Sequence, residues 1–483
     1  MSMAETLSLP REILFVAIIC LAQLFTRLGQ TLSIIRIIRS SFPPSPSSSS
    51  NSTWVLAGYS LTVGTFILAS GRLGDAYGYK RLFLAGLCWF ALWSAACGLA
   101  GYLEHSGDGM PFLVFCRAMQ GLGPAVILPN GLALLGAAYA PGSRKAMAFA
   151  LFGAAAPGGS VLGSLFAALL ASFAWWPWAF WALSLVLALV AALASFAIPA
   201  LPTPSHRRWG LRETLSRLDV LGTALGVSGL VLVNFAWNQA PVAERGWAEP
   251  YVYALLIVGA VLLGFFFVVE ARWAAHPLVP FAAIGSDVAF VLGAVACGWA
   301  SFGIWVLYTW ELLLGLRDES PLMATAMFVP VAVSGCGAAI FTGAMLHRLG
   351  PAVVMLCALV AFTIGLIYWA QTFVSVLVMP WGMDMSFPAG TLVLSNSMPR
   401  KHQGLAASLV NTVVNYSISL GLGFAATVEI NVNNGGGNPE DVLKGYRAAY
   451  YMGIGLAGLG VLVSLAFLVK TQPKKPVNVH QNA

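Results

Sequence analysis

Fourteen stretches of predominantly apolar residues, each about as long as a bilayer's hydrocarbon core is thick, follow one another along this chain. They lie near 13–38, 54–74, 81–102, 111–138, 146–172, 176–199, 219–240, 250–271, 288–313, 321–346, 351–370, 373–398, 404–430 and 446–469. Lipid offers no partner for a backbone N–H or C=O, so a spanning segment has to satisfy its own backbone. These unbroken runs predict helices; a barrel would need alternating polarity. The chain is 59% hydrophobic and only 9% charged, too apolar for a water-soluble fold to conceal. The expected class is therefore an all-α integral membrane protein.

Most of the 25 Lys and Arg fall in loops on one side, among them Arg72, Lys80, Arg81, Arg144, Lys145, Arg207, Arg208, Arg400 and Lys401. The positive-inside rule then places both termini in the cytoplasm, and the net charge of +7 follows from topology without invoking nucleic acid. The plasma membrane is the expected location, with the vacuolar membrane as alternative. All seven Cys sit inside predicted spans, so no disulfide framework is implied. The first span is expected to be retained and not cleaved as a signal peptide.

The external loop 39–53 is rich in Pro and Ser and cannot bury enough apolar surface to fold. It contains the sequon Asn51-Ser52-Thr53, a glycosylation candidate beside the membrane. The basic stretch 200–218 reads as a domain linker. Six spans precede it, two follow, and a Pro-containing segment from Arg272 to Pro280 leads into the last six. This gives an N-terminal six-helix bundle over 1–200, a linker with two extra helices over 201–285, a C-terminal six-helix bundle over 286–470, and a tail over 471–483. An internal repeat supports the division. Pro129-Asn130-Gly131-Leu132 is echoed by Pro388-Ala389-Gly390-Thr391, and Gly71 to Gly78 by Gly343 to Gly350, with His347 where Asp75 stands.

The segment Gly71-Arg72-Leu73-Gly74-Asp75-Ala76-Tyr77-Gly78-Tyr79-Lys80-Arg81 joins the second and third spans. Its glycines allow a tight turn, its carboxylate can accept from exposed helix N–H groups, and Lys80 and Arg81 anchor the same corner. A plain reverse turn carrying positive-inside charge explains it as well. Arg117-Ala118-Met119-Gln120-Gly121-Leu122-Gly123 in the fourth span follows, then Gly153 through Pro157-Gly158-Gly159 to Gly163 in the fifth.

Together these segments resemble the signature loop, the span-four pattern and the antiporter motif of the major facilitator superfamily. Ala156 and Ser160 stand where the antiporter motif has Gly. The six, two, six plan resembles the fourteen-span drug:proton antiporter branch, and Gly382-Met383-Asp384-Met385-Ser386-Phe387-Pro388 is similar to a segment of its fungal aminotriazole-resistance-like members. The resemblance implies two six-helix bundles with spans one, four, nine and twelve around a central cavity. It also implies Gly71, Asp75, Gly78, Lys80 and Arg81 as a conformational gate, Asp75 latching near Gly404, and Gly153, Pro157, Gly159 and Gly163 as the antiporter motif.

An ionisable residue within the bilayer costs roughly 2.5–3.5 kcal/mol on insertion scales, so each is a functional candidate. Three lie deep within the predicted spans, away from their ends: Arg27, Arg117 and Asp384. Arg27 belongs to a stripe with Gln23, Gln30 and Thr31 on one helix face. It reads as a binding or coupling cation, or as an ion pair between bundles. Arg117 resembles the family's arginine linked to proton transfer, while interhelical hydrogen bonding is the structural alternative. Asp384, near mid-span, is a carboxyl that can carry a proton between two access states; a packing or ion-pair role is the alternative. Span thirteen adds a polar stripe containing Asn411 and Asn415, and span nine carries Trp299, Trp305, Tyr308 and Trp310.

No Gly-x-x-x-x-Gly-Lys-Ser/Thr loop occurs, and all six His fall in loops or tails, which argues against an ATP-driven pump and against metal or haem chemistry. The expected protein is no enzyme and needs no cofactor, metal or obligate protein partner. It is read as a proton-coupled transporter of small molecules, an efflux pump conferring drug or multidrug resistance. The alternatives are an importer or facilitator of a small polar solute such as ammonium or borate, and a sensor that does not transport.

Overall fold

The computed structural model describes residues 8–31, 48–104, 108–139, 143–199, 213, 218–241, 243–279, 285–397 and 403–471. Residues 39–47 of the external loop, the bulk of the linker, the tail beyond 471 and the side chains of Thr31, Asn51 and His347 lie outside the described residues; the rest of that loop, 48–53, is helical where no fold was expected, because it extends an apolar span. Fourteen long α-helices occur among the described residues. The first six are α1 (Leu9–Thr31), α2 (Ser48–Tyr77), α3 (Tyr79–Leu99), α4 (Gly109–Ala138), α5 (Ser143–Phe173) and α6 (Pro177–Ala197). Two more are α7 (Val220–Gln239) and α8 (Pro250–Arg272). The last six are α9 (Ser286–Glu311), α10 (Pro321–Leu349), α11 (Pro351–Ile367), α12 (Thr372–Ser397), α13 (Gln403–Val432) and α14 (Pro439–Thr471).

Twelve of these are long and apolar enough to cross a membrane. The two that fall short do so for identifiable reasons. At 17 residues, α11 reaches only about 26 Å at 1.5 Å per residue. In α12 the polar Ser375, Asp384 and Ser386 and two internal prolines dilute the apolar run. Large side chains such as Leu185, Phe196, Ile257, Phe265 and Val469 stand exposed on the outer faces, as a bilayer and not water requires.

Two large cores form. One is built from α1 to α6, from Phe15 to Ile198. The other joins α9 to α14 with one face of α2. Helix α2 therefore serves both: Val55, Tyr59, Val63 and Ile67 face the first, and Trp54, Leu56, Leu61 and Leu68 the second. Its partner across the seam is α13, approached so closely that a Cβ on Gly64 would lie 2.7 Å from Tyr416 N. The Ser419 hydroxyl donates to Ala57 O at 3.0 Å across the same seam. A second seam joins α5 to α10, where Thr325 Oγ1 donates to Ser164 O at 3.3 Å.

Helices α7 and α8 pair with each other, and α7 lies against the α2–α13 seam from outside. Asn238 Nδ2 donates to Ser419 O at 3.1 Å and the Tyr416 hydroxyl to Leu230 O at 3.0 Å. Gly78 and Gly350, matched by the internal repeat, each separate two helices with positive φ, 95° and 79°. Only a residue without Cβ adopts these angles cheaply, so the echo in sequence is an echo in backbone geometry.

Candidate functional site

Between the two cores lies a cavity of about 640 Å³. Its walls are largely apolar with a few polar groups, the usual character of a small-molecule site. Helix α1 contributes Gln23, Arg27 and Gln30; α12 contributes Met383, Asp384 and Phe387; α13 contributes Asn411. Trp299, Phe302, Trp305 and Trp310 of α9 and Phe328 of α10 form an aromatic side. Trp299 Nε1 donates to Ser386 Oγ at 3.2 Å and Trp305 Nε1 to Ser375 Oγ at 2.5 Å, so hydroxyls of α12 fix the orientation of both rings. Trp310 stacks on Phe328 with centroids 4.7 Å apart.

Arg27 and Asp384 come from opposite cores and act on each other as opposite charges. Arg27 Nη1 donates to Gln30 Oε1 at 3.0 Å, and Gln30 Nε2 to Ser60 Oγ at 3.1 Å, which ties the cation to α2. Gly159 lets α5 pack directly on α1 here, since a Cβ would collide with Leu24 O and sit 3.1 Å from Arg27 Cβ. Asp384 Oδ2 is buried without a hydrogen-bond partner. The space beside it exists because position 335 is glycine: a Cβ there would lie 2.8 Å from that oxygen and 3.3 Å from Pro157 Cβ. Gly153 and Pro157 line the cavity, and Gly163 is buried further along α5.

Arg117 has a different setting. Fully buried and away from the cavity lining, it donates to Gly29 O at 2.9 Å, to Val55 O at 3.2 Å and to Gln120 Oε1. Its guanidinium lies 4.6 Å from the Tyr59 ring centroid. It thus pins α1, α2 and α4 together. Asn415 also lies off the lining and donates from Nδ2 to Asn411 O at 2.9 Å. Tyr308 turns away from the aromatic side to donate to Glu429 Oε2 at 2.7 Å.

In the signature loop, Lys80 Nζ donates to Ser195 O at 2.8 Å and Ile198 O at 2.5 Å, capping the end of α6. Arg72 donates to Pro277 O. Asp75 is exposed and accepts from the Tyr79 hydroxyl at 2.5 Å, and Arg81 is exposed. Gly71 faces Ser408 Oγ of α13, 3.4 Å from where a Cβ would be. The side chains at the start of α13, where Asp75 is expected to latch, lie outside the described residues. Sequence reasoning passed over Glu12, which accepts from the Tyr139 hydroxyl at 2.9 Å and pairs with Arg144 at 2.6 Å, clasping α1 to the α4–α5 junction. A lone Glu at a helix start carries no signal for this. Phe302 and Phe328 were missed as well, because an aromatic residue in a span looks alike whichever face it occupies.

The Major Facilitator Superfamily profile matches residues 9–422 and, in a second match, residues 288–483. A low affinity ammonium transporter of Saccharomyces cerevisiae is 51% identical, covering 98% of this chain and 92% of that protein. The efflux pump terJ of Aspergillus terreus is 47% identical over 95% of this chain and 88% of its own length. Among solved structures, an auto-inhibited POT family peptide transporter superposes with a TM-score of 0.64 at 16% identity, covering 98% and 99% of the two chains. That likeness establishes the fold. Helices fit for a bilayer, two cores around a shared cavity and relatives named as transporters lead to one conclusion: this integral membrane protein belongs to the Major Facilitator Superfamily of transporters.

Proposed function

We propose that the protein is a proton-coupled exporter of a toxic compound, drug or secondary metabolite, working by alternating access through fourteen spans. In this reading α11 and α12 complete the membrane set, 1–200 and 286–470 are the moving bundles, and both termini face the cytoplasm. The branch would be that of the fungal drug:proton antiporters, a reading that the terJ relative supports.

The observation that carries it is Asp384, a buried carboxyl with an unpartnered oxygen in the cavity and Arg27 as its opposite charge. Protonation cancels that attraction and removes the penalty of an unpaired buried charge, so one access state is favoured protonated and the other ionised. Arg27, Gln23, Gln30 and Asn411 contact substrate, while Arg117 acts through packing that positions α1 and α2. Asp75 exchanges Tyr79 for the start of α13 when the gate closes. The test is reconstitution into vesicles with an imposed pH gradient, screened with toxins and secondary metabolites. Saturable, gradient-dependent flux lost on Asp384→Asn supports the reading; flux that ignores the gradient overturns it.

A second reading rests on the relative named a low affinity ammonium transporter, 51% identical to this chain. In it the same cavity passes ammonium or another small polar solute inward. Methylammonium uptake by vesicles, absent in exporters of large solutes, separates the two. Binding without flux of any solute would instead indicate a sensor.

A further inference from the structure

Away from the cavity, two carboxyls meet where the extra helix pair is rooted. Asp219 precedes α7 with a left-handed φ of 46°, and its Oδ1 caps that helix by accepting from Gly222 N at 3.2 Å. Its Oδ2 accepts from Leu278 N at 3.2 Å. Glu270, in the last turn of α8 and only 4% exposed, accepts from Val279 N at 3.1 Å through Oε2. Glu270 Oε1 is buried with no donor. What it faces is the other acid. A Cβ added to Gly222 would collide with Asp219 Oδ2 and meet Glu270 Oε1 at 2.5 Å, so both oxygens border the same point beside that glycine.

Two facing carboxylates cannot both stay ionised in a buried site unless something positive lies between them. Among the described residues, the charged and titratable neighbours on adjoining elements do not supply it. Arg72 of α2 is turned to Pro277 O, and Arg272 and His276 are exposed. A metal ion suits the site poorly. Hard cations take six or more oxygens, whereas three of the four carboxyl oxygens here already accept backbone N–H groups. No group of three or more metal-binding side chains occurs among the described residues.

We propose that Asp219 and Glu270 bind a single proton between them, forming a proton site separate from the cavity that fastens segment 277–279 to the extra helix pair. Because Arg72 of the signature loop grips Pro277 O in that segment, the clasp is joined to the loop. Removal of the proton leaves like charges face to face and pushes the root of α7 and the end of α8 apart; because Leu278 N is held by one acid and Val279 N by the other, the parting acids pull on segment 277–279 and loosen its carbonyl from Arg72.

The site is read without substrate, on the full-length protein in lipid, so its test is independent of the transport reading. Difference infrared spectra should show a protonated carboxyl band in the wild type at mildly acidic pH that disappears in Glu270→Gln. The wild-type melting temperature should fall on alkalinisation, and the fall should shrink in the variant, whose amide donates to Asp219 at every pH. If Glu270→Gln does not fold, Asp219→Asn carries the same comparison, since Asn accepts left-handed φ and still caps α7. An unchanged carboxyl band, or a melting profile equally steep in variant and wild type, overturns the proposal. So does a rise in wild-type melting temperature with sodium or calcium at alkaline pH that Glu270→Gln abolishes, which would assign the gap to a metal cation.

Discussion

Replacing Asp384 by Asn removes one ionisable group from the cavity at nearly constant volume. Asp384 is the single carboxyl among the described residues that line it, so at most one proton per cycle passes through these lining acids. One pH unit corresponds to about 1.4 kcal/mol per proton, a tenfold ratio. A vesicle with an imposed difference of about two pH units should therefore accumulate substrate roughly 100-fold in the wild type if one proton is exchanged per substrate. The variant should only equilibrate, with no accumulation. Its fold should survive: Asp384 Oδ2 makes no hydrogen bond, so none is lost there, and an amide N–H left without an acceptor costs about 1–3 kcal/mol. Substrate exchange across vesicles at equal pH should persist, because it needs the cavity and the conformational change but no net proton movement. The assay is uptake of labelled substrate with and without the gradient, beside counterflow on the same vesicles. Gradient-driven accumulation by Asp384→Asn at the wild-type level would refute the assignment, and loss of counterflow together with accumulation would mean that the residue holds the fold and not the proton.

Arg117→Leu leaves acceptors on three helices without their donor and should lower stability by about 1–3 kcal/mol for each one left dry, seen as a reduced melting temperature in detergent. Gly64→Val puts a side chain where α2 meets the Tyr416 backbone; overpacking of about 1–3 kcal/mol and blocked flux should appear together, measured by melting and by counterflow. Glu12→Gln breaks the pair with Arg144, whose side chain is 59% exposed, so the loss should stay within about 1 kcal/mol and flux should hardly change.

Each of the fourteen expected runs holds a helix and twelve are long and apolar enough to cross a bilayer, because lipid forces a spanning backbone to satisfy itself, a constraint written in composition. Helix α12 shows the limit: the residues that make it interesting, Asp384 with its flanking serines and prolines, are those that dilute its hydropathy. Arg27 and Asp384 stood out because charge in a span is expensive, and the structure brings them to one cavity. The same logic flagged Arg117 yet said nothing of its surroundings, since backbone carbonyls of other helices leave no trace in sequence. Asp219 and Glu270 were invisible for the opposite reason: each stands near a span end, where an acid is unremarkable, and only folding turns them toward each other.

None of the residues lining the cavity comes from α7 or α8. The pair leans on α13 through Leu230, Asn234 and Asn238 while leaving the central chamber untouched. Such an appendage braces the α2–α13 seam from outside and stays clear of the chamber, so altering it leaves the walls that meet the cargo as they are. Exchanging it for the corresponding pair of a relative should transplant regulation and leave selectivity behind.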